Sequence, residues 1–458
     1  MTDSIIATGK HAPYPKPTVA WTMVILLTLA YILSFVDRFI LSLLVEPIKA
    51  DLELTDTQIG LLLGPAFALF YATMGLPFGW LADKKRRTWI VGFGIALWSA
   101  ATALSGVAKN FLHMFMARMS VGVGEATLSP CAMSMIADSF PKEQRGKPIA
   151  VYSTAMSLGA ATASFVGAAV LTWAKSGAEV SLPLLGIIAP WQFAFIVVGL
   201  PGLALSALFF FMREPVRRQV VTGAGDETGS FGEMLRYVGR RWATYLSFMT
   251  IFSLMTIIAY SHGWNPAMFS RTWGWSAEQY AITNAIILIA VAPLTINISG
   301  WLSDKMSSKG KAETPLLIAM LGVFFLVPTG IAIPLMPSGE LAFVMIALNT
   351  VGLAMISAVG VTALLNIVPS TMRGQVVALY YMCMSIAGLM LGPTSVGLLS
   401  DYVFGAEGLR YAVSLPALIF GIPVVLLMPT TLRLYRRELA AFDAAELAPE
   451  GAQPTPAE

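Results

Sequence analysis

Charge is what this sequence has least of. Only 12% of its 458 residues are Asp, Glu, Lys or Arg, against roughly 25% in soluble proteins. Hydrophobic residues make up 56% and mean hydropathy is +0.72. A soluble domain cannot hide that much apolar surface, so lipid must solvate much of the chain. There are two cysteines, Cys131 and Cys383, both in apolar runs, which excludes a disulfide framework. The three histidines, at 11, 113 and 262, form no spaced metal cluster, and no nucleophile with a matching base stands out, which argues against an enzyme. A Walker-type phosphate loop is missing, so ATP-driven pumping is not expected. The net charge of +3 offers no basic face for nucleic acid, and no cofactor is implied. The first apolar run is of spanning length and lacks a small-residue cleavage site, so it reads as a retained helix.

What remains is a series of apolar runs of about 20 residues or more, at 20–45, 57–82, 88–108, 111–136, 147–174, 186–212, 242–269, 277–302, 314–336, 341–367, 374–400 and 410–432. Lipid cannot satisfy open backbone groups and no strand-like alternation runs through these segments, so each is expected to be a helix. Twelve spans put both termini on one side. If that side is cytoplasmic, its segments hold 22 of the 29 Lys and Arg, as the positive-inside rule requires. The stretch 213–241, with its Gly-rich "VTGAGDETGSFGE", reads as a flexible cytoplasmic linker. The tail 437–458, acidic and rich in Ala and Pro, reads as disordered, and 1–19 as a short cytoplasmic tail.

Two motifs recur in order across the halves. "GWLADK" from Gly79 returns as "GWLSDK" from Gly300, and "PKEQRG" from Pro141 returns as "PSTMRG" from Pro369. Paired repeats at nearly half the chain length indicate duplicated six-helix halves, here 20–212 and 242–436. This arrangement resembles the major facilitator superfamily. The resemblance implies an all-α polytopic membrane protein of 12 helices in two pseudo-symmetric bundles, with a central site exposed alternately as the bundles rock. "GWLADKKRR" (Gly79 to Arg87) is similar to that superfamily's signature between the second and third helices, although Arg86 stands where glycine is usual. The similarity assigns a gating network to Gly79, Asp83, Arg87, Asp138 and Arg145, with Asp304 and Arg373 in the second copy.

Four ionisable residues lie inside spans. An ionisable residue at such depth costs at least ~3 kcal/mol on insertion scales and is a functional candidate by default. Asp37 and Arg38 occur in "LSFVDRFIL" on the first span, Arg118 and Glu125 in "ARMSVGVGEA" on the fourth. From the helical rise, Asp37 lies about 12 Å below the outer end, Arg118 about 10 Å and Glu125 about 21 Å. Arg118 and Glu125 are nearly two turns apart and share a face. Arg38 and Arg118 are close enough to the outer end to snorkel, and an Asp37–Arg118 bridge is one structural alternative. Gly122 and Gly124 permit close helix approach.

"FVDRF" together with "RMSVGVGEA" is similar to the spinster family within the superfamily. That resemblance implies a transporter of an amphiphilic, lipid-like substrate in a bilayer; a deep carboxylate near arginine adds the expectation of coupling to the proton gradient, and the arginines that of an anionic substrate. Asp37 and Glu125 would couple protons, and Arg38 and Arg118 would bind substrate. Asn284, Asn297, Asn349, Asn366 and Tyr380 are the second half's polar candidates. "TIIAYSHGW" (Thr256 to Trp264) breaks the seventh span near its outer end, and His262 reads as interfacial. A small organic anion symporter or multidrug exporter is the alternative, and a non-transporting sensor is the alternative from another class. A monomer in a bacterial inner membrane is expected.

Overall fold

Capping residues mark where several of the spans begin. In the computed structural model, the second span starts at a capping box in which Thr55 accepts from Gln58. The eighth starts at a similar box between Ser276 and Gln279, and the fourth at Asn110, which accepts from the His113 N–H. Such caps satisfy backbone N–H groups that have no partner inside the helix. The structure describes residues 13–141, 144–175, 180–182, 186–217, 231–369 and 372–446.

Among the described residues, 11 helices are long and apolar enough to cross a membrane, from Pro17–Leu43 to Ala406–Phe442. The expected fourth span is a helix in two pieces, Phe111–Glu125 and Leu128–Ser139. The break falls immediately after Glu125. The second span is also in two pieces, Asp56–Leu63 and Pro65–Lys84, parted at Gly64. The seventh gives way at His262–Trp264 to a tight 3₁₀ turn before Asn265–Trp273, in the segment read as a kink. The eleventh passes through two π-helical stretches, Ile386–Leu391 and Ser400–Phe404, a form concentrated at functional sites. Between the fifth and sixth spans, Val180–Leu182 pairs antiparallel with Gly186–Ile188.

Two segments are more ordered than their composition suggested. Phe231–Arg240, at the end of the stretch read as linker, is a helix. Met234 is fully buried and Tyr237 and Val238 pack against the same core, the i, i+3, i+4 spacing of one helix face. Arg241 then pairs with Glu438 at 3.1 Å. That contact lies on the last helix, which runs on to Glu446, past the expected end at 436. Residues 218–230 and 447–458 of the linker and tail readings lie outside the described residues.

We call the face where the first helix begins, near Pro17, proximal and the opposite face distal. On the distal side one apolar core joins the halves, with Ile48, Leu62 and Trp191 in the same cluster as Trp264, Phe269 and Val413. Toward the proximal side the cores separate. One cluster is made of second-half residues; the other is built from the first half, with Leu389 reaching in. The halves therefore converge distally and part proximally.

Polar contacts follow the same division. Asp56, fully buried, takes both Arg271 Nη1 (2.8 Å) and Nη2 (2.9 Å). It also accepts from Lys49 at 2.5 Å and Ser400 at 2.6 Å. Arg271 reaches Glu46 at 2.8 Å. The Asp401 carboxylate accepts the N–H groups of Asp56 (3.1 Å) and Thr57 (2.6 Å), and so caps a helix N-terminus of the opposite half, where negative charge is favoured. A Cβ added at Gly60 would stand 2.8 Å from the Pro393 carbonyl oxygen, and one at Gly64 would collide with that of Leu389. Only glycine lets the second and eleventh spans approach this closely. Ion pairs join the halves on this distal side.

Candidate functional site

The four intramembrane charges come together where the first and fourth spans meet. Arg38 turns inward and does not snorkel. Its Nε donates to Glu125 Oε2 at 2.6 Å, and Nη2 meets the same oxygen. The guanidinium is stacked among Phe67 (4.5 Å), Tyr71 (4.8 Å) and Phe35 (5.2 Å), which supports a cation that has left water. Arg118 Nη1 donates to the Asp37 backbone carbonyl at 3.0 Å. The pairing is thus Arg38 with Glu125, and Arg118 with the main chain of Asp37; the Asp37–Arg118 side-chain bridge weighed from the sequence is not the bond formed. Asp37 Oδ1, Glu125 Oε1 and Arg118 Nε are buried without a hydrogen-bond partner.

The glycines between the charges make this geometry possible. A Cβ on Gly122 would sit 2.5 Å from the Phe67 carbonyl oxygen, and one on Gly124 would sit 2.7 Å from that of Gly94. The fourth span therefore lies directly on the second and third. That contact presses Phe67 and Tyr71 toward Arg38.

A cavity of about 370 Å³ lies between the halves. Arg38 and Arg118 line it from the first half, with Phe35, Phe39 and Phe67. The second half contributes Tyr260, His262, Asn265, Asn284 and Asn349. Among the described residues, none of its lining side chains is a carboxylate; Asp37 and Glu125 lie behind the wall, each 2% exposed. The chamber is a cationic pocket with largely apolar walls. It takes the buried acids out of direct contact with whatever fills it.

Of the second-half candidates, Asn284 and Asn349 reach the cavity. Asn297 bonds its own helix at Pro293, Asn366 bonds the Ala312 carbonyl, and Tyr380 packs in the second-half core. His262, read as interfacial, belongs to the cavity wall.

The residues assigned to gating divide. Arg87, 1% exposed, donates to Asp138 at 2.5 Å and Ser134 at 2.7 Å, so the expected Arg87–Asp138 pair forms. Glu214, which sequence reading missed, completes it by accepting from Arg87 Nε at 2.7 Å and the Thr88 N–H at 3.0 Å. The only signal for Glu214 was an acid in "MREP" at a span end. All of these groups lie on or next to the first half, with Glu214 just past the end of the sixth span. Arg145 donates to the Phe140 carbonyl at 3.0 Å and Arg373 to the Val368 carbonyl at 3.3 Å. Each is the residue just before the proline of its repeat, so the duplicated motif builds the same bond twice. A Cβ at Gly79 or Gly300 would meet nothing within 4 Å, and Asp304 is exposed. The Asp83 side chain lies outside the described residues. Sequence reading also missed the Asp56–Arg271–Asp401 group, whose members are far apart in the chain and carry no shared motif.

Comparison with known proteins adds what geometry alone does not. The Major Facilitator Superfamily profile matches residues 27–339. The chain belongs to the Major Facilitator Superfamily. Among curated relatives of this superfamily member, an MFS-type efflux pump of Mycolicibacterium smegmatis is 28% identical over 421 residues, covering 88% of this chain and 91% of that protein. A probable L-galactonate transporter of Escherichia coli is 28% identical over 305 residues, covering 64% and 63%. Among solved structures, a bacterial homolog of the human lysosomal transporter spinster, in an inward-facing and unoccupied conformation, superposes with a TM-score of 0.76 at 26% identity, covering 95% of this chain and all of that one. The chain is therefore an integral, multi-pass MFS transporter resembling spinster, and not an enzyme.

Proposed function

We propose that this protein is a proton-coupled secondary transporter of an amphiphilic organic anion, lipid-like in character, working by alternating access. The observation that carries the reading is a cavity with two guanidinium groups and no carboxylate on its described wall, with Glu125 held directly behind Arg38. Guanidinium suits phosphate or carboxylate through paired N–H donors. The apolar remainder of the wall, including Leu63, Leu288 and Ile296, suits an acyl or other hydrophobic portion.

Coupling follows from competition for one cation. An anion that draws Arg38 away from Glu125 leaves a buried carboxylate without its counter-charge, and a proton removes that cost. Asp37, beside Arg118, is the second proton-handling acid. With both termini cytoplasmic, the distal seal closes the outside and the cavity faces inward. Breaking the Asp56–Arg271 cluster while the proximal cores come together would face it outward.

A second reading, a small organic anion symporter, is favoured by the amides of Asn284 and Asn349 in the wall and by the L-galactonate relative. Purified protein in proteoliposomes decides between them. Uptake of labelled lysophospholipid stimulated by an imposed pH gradient supports the lipid reading. Gradient-driven uptake of a sugar acid with none of lysophospholipid moves the substrate to the smaller class. Flux of either that ignores the gradient removes proton coupling.

A further inference from the structure

The second-half wall holds a polar device that anion binding does not use. Tyr280, Asn284, Leu288, Ala292 and Ile296 recur every fourth residue along one face of the eighth span, and all line the cavity. Asn349 lines it from the tenth span and is 3% exposed. Its Nδ2 donates twice, to the Leu326 carbonyl at 3.1 Å and to Thr329 Oγ1 at 2.8 Å. The Thr329 hydroxyl spends its own hydrogen on the Phe325 carbonyl at 2.6 Å, so it can only accept from Asn349. A carbonyl cannot be served by an amide oxygen, and both amide hydrogens are therefore committed. The amide plane is fixed, and Oδ1 accepts no hydrogen bond among the described residues and is not sealed within the core. Asn284, half-buried, has no side-chain hydrogen bond among them either.

We propose that Asn349, with Asn284, forms a subsite that accepts a hydrogen bond from a hydroxyl of the transported anion, and that a free hydroxyl is a specificity requirement of this transporter. The proposal rests on the anion reading above and deepens it. From the helical rise, Arg38, Arg118, Asn284 and Asn349 all lie in a layer roughly 8–15 Å beneath the distal face. An anion held by the arginines on one wall then presents its other polar group to the amides on the opposite wall. That group is a hydroxyl and not an ammonium. No carboxylate among the described lining residues would balance a second cation, and two guanidinium groups in a poorly solvated chamber would repel it. A pre-oriented acceptor discriminates strongly because a ligand without the donor leaves it unpaired.

The test is equilibrium binding to the purified full-length protein, with two ligand pairs that each differ by one hydroxyl. One pair is 1-palmitoyl lysophosphatidate and its 2-deoxy analogue; the other is 6-hydroxyhexanoate and hexanoate. In the wild type, the hydroxylated member of one pair should bind about tenfold tighter than its partner. The pair that shows the ratio identifies a lipid or a small acid as the source of the hydroxyl. Asn349→Leu should reduce the ratio to within about twofold by weakening the hydroxylated ligand alone. Asn284→Leu, which breaks no bond within the protein, should lower it in the same sense, and decides together with the wild-type ratio if Asn349→Leu does not fold. Arg118→Gln should weaken both members of a pair alike. A wild-type ratio below about twofold in both pairs, or a ratio unchanged in both asparagine variants, overturns the subsite. Unchanged affinities in Arg118→Gln and in Arg38→Gln would instead overturn the anion reading.

Discussion

Replacing Glu125 by glutamine keeps the side chain's shape and one hydrogen-bond acceptor for Arg38 Nε, now 2.6 Å from Glu125 Oε2, but removes the charge. Breaking a fully buried ion pair costs about 3–5 kcal/mol. Here the cost should be smaller, because the Arg38 side chain keeps 16% of its exposure and its three aromatic neighbours. A loss of about 1–3 kcal/mol in stability is expected. Function should change in the opposite sense. In the wild type an incoming anion must displace a charge-assisted bond worth about 1.5–3 kcal/mol. Removing that competitor should tighten anion binding by roughly 10- to 150-fold. Binding should also lose its pH dependence. The wild type takes up one proton as Glu125 is released, so its affinity should fall by about tenfold per pH unit as pH rises where Glu125 controls coupling, whereas in Glu125→Gln the line should be flat. Calorimetric binding across pH, paired with gradient-driven flux in proteoliposomes, reads both effects. A variant that keeps the wild-type pH slope, or that still concentrates substrate under a pH gradient, would refute Glu125 as the coupling site.

Three further outcomes follow from the same geometry. Asp56→Asn removes the charge, and one of the two acceptor oxygens, shared by Arg271, Lys49 and Ser400. Losing one partner of such a buried group costs about 3–5 kcal/mol, enough to repopulate a two-state equilibrium. Spin labels on exposed Lys109 and Pro337, in a Cys383→Ser background, should move apart, and an unchanged distance distribution would argue against a distal gate. Gly122→Ala places a methyl 2.5 Å from the Phe67 carbonyl oxygen and should destabilise by about 1–3 kcal/mol. It should also weaken anion binding by shifting the Arg38 cradle; a wild-type melting temperature and affinity would contradict this. Arg87→Gln removes the buried cation shared by Asp138 and Glu214 and should cost about 3–5 kcal/mol by thermal unfolding, with anion affinity intact because the cavity lies elsewhere.

Sequence reading reached far into the fold and into half of the site. The spans were legible because lipid leaves the backbone no alternative to helix, and apolar length is a local property. The repeats were legible because duplication copies local motifs, and the Arg145 and Arg373 bonds show what those motifs build. The four buried charges stood out because hydrocarbon makes each of them costly wherever the chain goes. Less was legible where stability comes from partners distant in sequence. The helix Phe231–Arg240 and the end of the last helix are polar on one side and were read as linker and tail, yet Met234 and Leu439 are buried in one core.

By itself, the sequence determined that this chain spans a membrane in two related halves and carries two acids and two arginines within it. Only the tertiary structure decided that Arg38 pairs with Glu125, that Arg118 holds the main chain of Asp37, and that both arginines face a chamber whose far wall carries Asn284 and Asn349. Tertiary packing alone also revealed the distal seal at Asp56. Hydrophobic periodicity specifies that a helix is buried, but a helix carries no local record of its rotation relative to helices two hundred residues away. Those rotations are set by close contacts such as Gly122 on Phe67 and Gly64 on Leu389, where the absence of a side chain becomes information only once the second helix is in place.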